Sequence, residues 1–355
     1  MKRIVICADG TWNETERKDK KTGRPQPTNV LKVARAVLPR SSAGVDQVVD
    51  YHEGVGTLGY LDKWTGGAFG RGMERNIRSL CRFLVYNYEP NDELYFFGFS
   101  RGAFTVRTLV GFMNTVGLLQ KDDDYYTPEI YNLYQSSTPM DSAEWQLAFQ
   151  RIEGTRPCPP IHFVGVWDTV GALGAPGLLG QILNRNKYKY HDIGLHPIIL
   201  NAYHALAIDE RRKPFAPSLW ERPLGWTGTL EQVWFAGVHS NVGGGYHPDG
   251  LANETLHWIV EKAEGLGLEF DKQYLAHYRP CFNSVLQNSM SGLYKIMLPN
   301  ERAIGSGDSE AVHQSAFDRQ DLKSCNYDPP NLRTYVNKAG KSSVGTMRIQ
   351  RGIPC

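Results

Sequence analysis

Leu94-Tyr95-Phe96-Phe97-Gly98-Phe99-Ser100-Arg101-Gly102-Ala103-Phe104 is the stretch that decides how this chain is read. The apolar run 93–99 is bounded by Pro90-Asn91-Asp92 and has the length and composition of a buried strand. Ala103, Phe104, Val106, Leu109, Val110 and Met113 then recur at helical spacing, which predicts a helix over 101–118. Between strand and helix stands Gly98-Phe99-Ser100-Arg101-Gly102, a G-x-S-x-G. In that setting the motif is a nucleophile elbow: a sharp turn holds a serine hydroxyl clear of the sheet edge. The glycines leave room for the close approach of helix and strand. The competing reading is a plain turn with a capping serine.

The same alternation extends in both directions. Residues 4–8, 47–51, 161–167 and 232–237 read as further strands, and 29–38 (capped by Thr28), 73–88, 196–208 and 251–266 as helices. Residues 54–72 read as a glycine-rich loop. Strands alternating with helices predict an α/β chain: a mostly parallel central sheet with helices on both faces. With the elbow, the expectation is one α/β-hydrolase domain over 1–355. Its core spans about 2–118, 159–170 and 231–266, with insertions at about 119–158 and 171–230 forming a cap and a C-terminal extension over about 267–355. The Tyr- and Trp-bearing insertion (Tyr125, Tyr126, Tyr131, Tyr134, Trp145) reads either as a lid over an apolar acyl pocket or as ordinary packing.

An elbow serine needs an acid and a histidine later in the chain. Asp168 ends the strand 161–167, where functional groups of parallel sheets gather. His239 follows the strand 232–237 in the glycine-rich Gly237-Val238-His239-Ser240-Asn241-Val242-Gly243-Gly244-Gly245. Asp192 and Asp209 are rival acids, Asp209 with a helix-end ion pair as its simpler reading. His204 and His313 are rival histidines. The chemistry these imply is attack of Ser100 on a carbonyl, with His239 as base and Asp168 holding the imidazole. The backbone N–H of Arg101 is the expected first oxyanion donor, and the turn Gly10-Thr11 the candidate second.

These motifs together resemble a known family. Ala8-Asp9-Gly10-Thr11-Trp12-Asn13, Gly54-Val55-Gly56-Thr57, Gly98-Phe99-Ser100-Arg101-Gly102-Ala103, Val166-Trp167-Asp168-Thr169-Val170-Gly171, Ala205-Leu206-Ala207-Ile208-Asp209-Glu210-Arg211-Arg212 and the His239 loop lie within about residues 2–265. The set is similar to an uncharacterised α/β-hydrolase domain family that includes the phospholipase effectors of bacterial type VI secretion. The resemblance implies an α/β-hydrolase fold and a Ser–Asp–His triad mapping onto Ser100, Asp168 and His239. For the secreted members it implies cleavage of glycerophospholipid acyl esters in a target cell.

Composition excludes other classes. The 355 residues carry 39 Lys plus Arg against 37 Asp plus Glu, a net +2, so nothing global draws the chain to nucleic acid. The expected partner is a small-molecule or lipid ester, with peripheral membrane contact left to local patches and protein partners unknown. The N-terminal apolar run is shorter than the roughly 7–15 residues of a signal peptide. No stretch approaches the roughly 18 apolar residues of a membrane span. A cytoplasmic location follows by default, or export by a signal-less system. Six cysteines without a C-x-x-C pair read as single thiols in a reducing compartment. No cofactor and no metal are expected. Gly54-Val55-Gly56-Thr57-Leu58-Gly59 lacks the following helix of a dinucleotide site. Asp122-Asp123-Asp124 reads as a solvated helix start or turn. Two other functions stay open: a degenerate hydrolase used as a binding module, and phosphoryl transfer through Asp9. Labelling of Ser100 by a fluorophosphonate separates the first from an enzyme.

Overall fold

The computed structural model describes residues 1–10, 16, 18, 19, 22–54, 66–136, 138–152, 154–171, 194–296 and 298–339; for 66–71, 293 and 339 it describes the backbone alone. The strands are β1 (Arg3–Ala8), β2 (Gln47–His52), β3 (Glu93–Phe99), β4 (Leu118–Leu119), β5 (Thr155–Arg156), β6 (Ile161–Trp167), β7 (Asn201–Ala207), β8 (Thr229–Phe235) and β9 (Glu310–Val312). Among the described residues, seven of them form one sheet in the order β2-β1-β3-β6-β7-β8-β9, and every neighbouring pair is parallel.

Burial explains why the central strands are near-continuous apolar runs. Along β1, Ile4, Ile6 and Ala8 enter one core cluster and Val5 and Cys7 the opposite one. Along β3, Leu94 and Phe96 face the first, while Tyr95, Phe97 and Phe99 face the second. A strand covered on both faces has no polar side to alternate with. The first face is covered by α2 (Gly66–Asn87) and α3 (Arg101–Val116), the second by α1 (Asn29–Ala36) and the helix Gly250–Glu264. This is the mostly parallel, doubly covered α/β sheet expected from the sequence. Thr28 caps α1 through its hydroxyl, which accepts the Leu31 N–H.

Three readings need correction. The helix expected over 196–208 is instead β7, the strand between β6 and β8. Ala202, Leu206 and Ala207 favour helix intrinsically, but the gap between two strands is filled only by an extended segment, and tertiary context overrides the propensity. The segment 171–230 therefore supplies a strand of the central sheet. Secondly, α2 begins at Gly66, inside the stretch read as loop. Thirdly, Cys281 is disulfide-bonded, whereas Cys7, Cys81, Cys158 and Cys325 are free as expected.

The Tyr- and Trp-bearing segment is closed at its base by β4 pairing antiparallel with β5. Its helices, α4 (Thr127–Gln135) and α5 (Ala143–Gln150), bury Ile130, Tyr131 and Trp145 in the core cluster that holds α2 and α3. Phe112 of α3 meets Tyr131 and Tyr134 edge-on at 5.4 Å. Tyr131, Tyr134 and Trp145 pack against the helical layer, as in the ordinary-packing reading, whereas Tyr125 is exposed.

Strand register levels the carboxyl ends. Ala8 stands opposite Gly98, Phe99 opposite Trp167, Trp167 opposite Ala205, and Ala207 opposite Phe235. The ladder continues one residue further: the Ser100 N–H donates to Trp167 O (2.9 Å) and the Asp168 N–H to Ala205 O (2.8 Å). Residues 100, 168, 208–210 and 236–239 thus line one edge of the sheet. The approach of α3 to β1 is as close as the motif glycines allow. A Cβ on Gly102 would stand 2.1 Å from Ala8 O and 2.5 Å from Asp9 O, both backbone atoms. We expect Gly102→Ala to cost about 2–3 kcal/mol by prising α3 from β1. A thermal melt indistinguishable from the parent's would refute that packing argument.

Candidate active site

Ser100 sits at φ 59°, ψ −120°, a backbone conformation costly for a residue with a Cβ. The turn is over-determined by its surroundings. Ser100 N–H is tied to β6, Gly102 abuts β1, and a Cβ on Gly98 would meet Ala103 Cα at 2.6 Å. The motif's glycines are thus required by backbone contact, and the elbow geometry expected from the sequence is present.

The residues proposed from the sequence meet here. His239 Nε2 lies 2.8 Å from Ser100 Oγ, and His239 Nδ1 lies 2.5 Å from Asp168 Oδ2. All three side chains are buried. The imidazole is flanked by the Phe99 ring at 4.7 Å and the Phe215 ring at 4.9 Å. Burial pushes His239 below the ordinary histidine value, although the Asp168 carboxylate and Glu210 pull the other way. Burial would raise Asp168, but Arg302 and His239 outweigh it and hold the carboxyl well below the usual range. Neutral imidazole beside ionised carboxylate leaves the proton on Nδ1. Nε2 is then the acceptor facing the serine hydroxyl.

The loop that carries His239 is anchored by residues the sequence reading assigned elsewhere. Asp209 Oδ2 accepts the Gly237 N–H (2.7 Å), and Glu210 Oε2 accepts the His239 N–H (3.2 Å). Asp209 is therefore no helix-end ion pair; it follows β7 and pins the turn after β8. Burial pushes its carboxyl up to about 6. Glu210 is gripped by Arg212 through Nε (2.9 Å) and Nη2 (2.8 Å), and the guanidinium carbon lies 3.5 Å from the Phe215 ring centre.

The rival histidines have other employment. His204 Nε2 accepts the Thr169 N–H at 3.0 Å, and burial with nearby Arg107 pushes it down to about 3. His313 caps the helix Gln314–Asp321 and stacks on Phe235 at 4.4 Å, with burial pushing it down to about 4. Asp192 and Thr11 lie outside the described residues.

Arg101 opens α3, so its N–H lies at the positive end of that helix. Gly10 departs from the expectation: its N–H donates to Asp9 Oδ1 at 2.6 Å, so it does not point outward as an oxyanion donor. Asp9 Oδ2 accepts the hydroxyls of Tyr51 (2.9 Å) and Thr28. With both oxygens held, Asp9 braces the turn after β1. Among the described residues, no group of three or more His, Cys, Asp or Glu side chains is arranged to hold a metal ion.

One residue had no signal in the sequence. Arg302, 4% exposed, donates Nη1 to Asp168 Oδ1 (2.6 Å) and Nη2 to Asp168 Oδ2 (3.0 Å). Nη1 also donates to Ala207 O (2.8 Å) and Nη2 to Phe215 O (2.5 Å). Nothing in the local pattern around residue 302 marks it as a site residue.

Residues 2–262 match the model of the type VI secretion Tle1-like phospholipase effector catalytic domain. The chain belongs to that family. Among relatives of this Tle1-like chain, the uncharacterized protein YEL023C of Saccharomyces cerevisiae is 28% identical over 240 residues, 60% of this chain and 32% of that protein. A solved structure of an uncharacterized Pseudomonas aeruginosa protein is 17% identical with a TM-score of 0.41, covering 77% of this chain and 47% of the other. The Tle1 effector, solved bound to the VgrG spike of a type VI secretion system, is 20% identical with a TM-score of 0.36, covering 69% and 51%. This chain thus spans about a third of the yeast relative and about half of each solved chain. Arg302 and β9 lie beyond the family match.

Proposed function

We propose that this chain is a serine ester hydrolase of the phospholipase type, with Ser100 as nucleophile, His239 as general base and Asp168 as the acid that orients it. The observation that carries the reading is the hydrogen-bonded chain Ser100–His239–Asp168, set at the ends of β3, β8 and β6 with the serine on an elbow. Ser100 Oγ attacks the ester carbonyl while His239 Nε2 takes its proton. The alcohol leaves with that proton, and water then repeats the sequence on the acyl-enzyme. The Arg101 N–H is the first oxyanion donor. The Gly10 N–H, held by Asp9, is not free to serve as the second.

Family membership supports an acyl ester of a phospholipid as substrate. It also supports export through a type VI secretion apparatus. Among the described residues, no helix is long and apolar enough to cross a membrane. The test is fatty-acid release from phospholipid vesicles, run beside a panel of short p-nitrophenyl esters with Ser100→Ala as control. Release by the parent and not by the variant is expected. Equal release would remove the serine mechanism; hydrolysis of the short esters alone would remove the lipid substrate.

The pH dependence follows from His239. The base must be neutral, and burial lowers its pKa. Activity is therefore lost as pH falls through a value below the ordinary histidine pKa of about 6.5. We expect the acid limb of kcat/KM to lie under that value. A limb at or above it would show that His239 does not set the profile.

A further inference from the structure

We infer that Arg302, from the segment beyond the family match, is a positioning residue that fixes the Asp168 carboxylate and sets the proton affinity of His239. The inference rests on the serine-hydrolase reading above. It starts from geometry. Asp168 stands at φ 42°, in the left-handed region that leaves backbone and side chain in an uncommon direction. Its Oδ1 receives Arg302 Nη1 and the Ala207 N–H (3.1 Å), and its Oδ2 receives Arg302 Nη2 and His239. A planar guanidinium meeting both oxygens fixes the carboxylate plane, which a single ammonium does not do. The fork is itself anchored on Ala207 O and Phe215 O, the ends of β7 and of the turn whose ring packs on His239. Arg302 therefore ties the acid, the β7 end and the Phe215 wall into one unit.

The electrostatic consequence has a definite sign. The groups around the pair are Arg302 on Asp168; Glu210, which raises the proton affinity of His239, and Arg212, which lowers it, both beside the imidazole; and His204 behind Asp168 on Thr169. Of these, Arg302 is the cation in contact with the carboxylate. It draws negative potential from the oxygen that faces His239, so the imidazolium is less stabilised than by an unpaired aspartate. Removing the charge raises the proton affinity of His239 and moves the acid limb upward. Removing the fork while keeping the charge loosens the carboxylate without moving the limb.

Two variants separate these effects: Arg302→Gln, which keeps a donor but loses the charge, and Arg302→Lys, which keeps the charge but loses the fork. The readout is the pH dependence of fluorophosphonate labelling at Ser100, which needs no knowledge of the natural substrate, with a thermal melt on each protein. Arg302→Gln is expected to raise the acid limb by about one pH unit. Arg302→Lys is expected to leave the limb in place and slow labelling about tenfold. An unmoved limb in the Gln variant overturns the proposal. Should the Gln variant not fold, the Lys variant decides: labelling at the parent's rate overturns it, and a tenfold loss on a native melt supports it. Absence of labelling in the parent would overturn the Ser100 reading, and this role with it, before any variant is made.

Discussion

Ser100→Ala is expected to lower ester hydrolysis by about 10⁴–10⁶-fold, since removing an activated nucleophile costs nearly as much as removing the whole constellation. The loss will come without unfolding. The side chain loses one hydroxyl that meets His239, while the elbow is held by Gly98, Gly102 and the Ser100 N–H bond to Trp167 O, none of which changes. Alanine at φ 59° is no more strained than serine there. Initial rates on a short ester, together with the melting temperature, check both halves. Retention of more than about one hundredth of the parent rate would place the nucleophile elsewhere.

Asp168→Asn should cost about 10⁴-fold in kcat, because an amide no longer selects the tautomer that leaves Nε2 as acceptor. Unlike Ser100→Ala, it should also destabilise. The carboxylate receives Arg302 Nη1, Arg302 Nη2, the Ala207 N–H and His239 on two oxygens. An amide has one oxygen, so its NH₂ must face a donor, and Arg302 keeps a buried charge without its counter-ion. Breaking a buried pair from one side costs about 3–5 kcal/mol. The two substitutions thus differ in kind: one loses rate alone, the other rate and stability. Equal melting temperatures for the two variants would contradict the buried Arg302–Asp168 pair.

The difference between these two sites also marks what could be read from the sequence. Ser100 was legible because its signal is local: an apolar run, G-x-S-x-G and an amphipathic helix within about twenty residues, each reporting on the next. Asp168 and His239 were legible by the same logic, as polar residues ending later apolar runs in the required order. β7 was misread because Asn201–Ala207 is rich in helix formers, and only the strands on either side make extension the better solution. Gly10 was proposed as a donor from its place in a turn. Its engagement by Asp9 depends on how Tyr51 and Thr28 turn that carboxylate inward.

By itself, then, the sequence determined the alternating α/β architecture, the elbow and the order of the three residues proposed for catalysis, because strand runs, helical stripes and tight turns are set by neighbours along the chain. Only the tertiary structure decided what holds those residues in place. Asp209 and Glu210 act on a loop about thirty positions later. Arg302 reaches an aspartate 134 positions earlier. Pairing over such separations follows from how the sheet edge brings segments together, and no spacing in the chain encodes it.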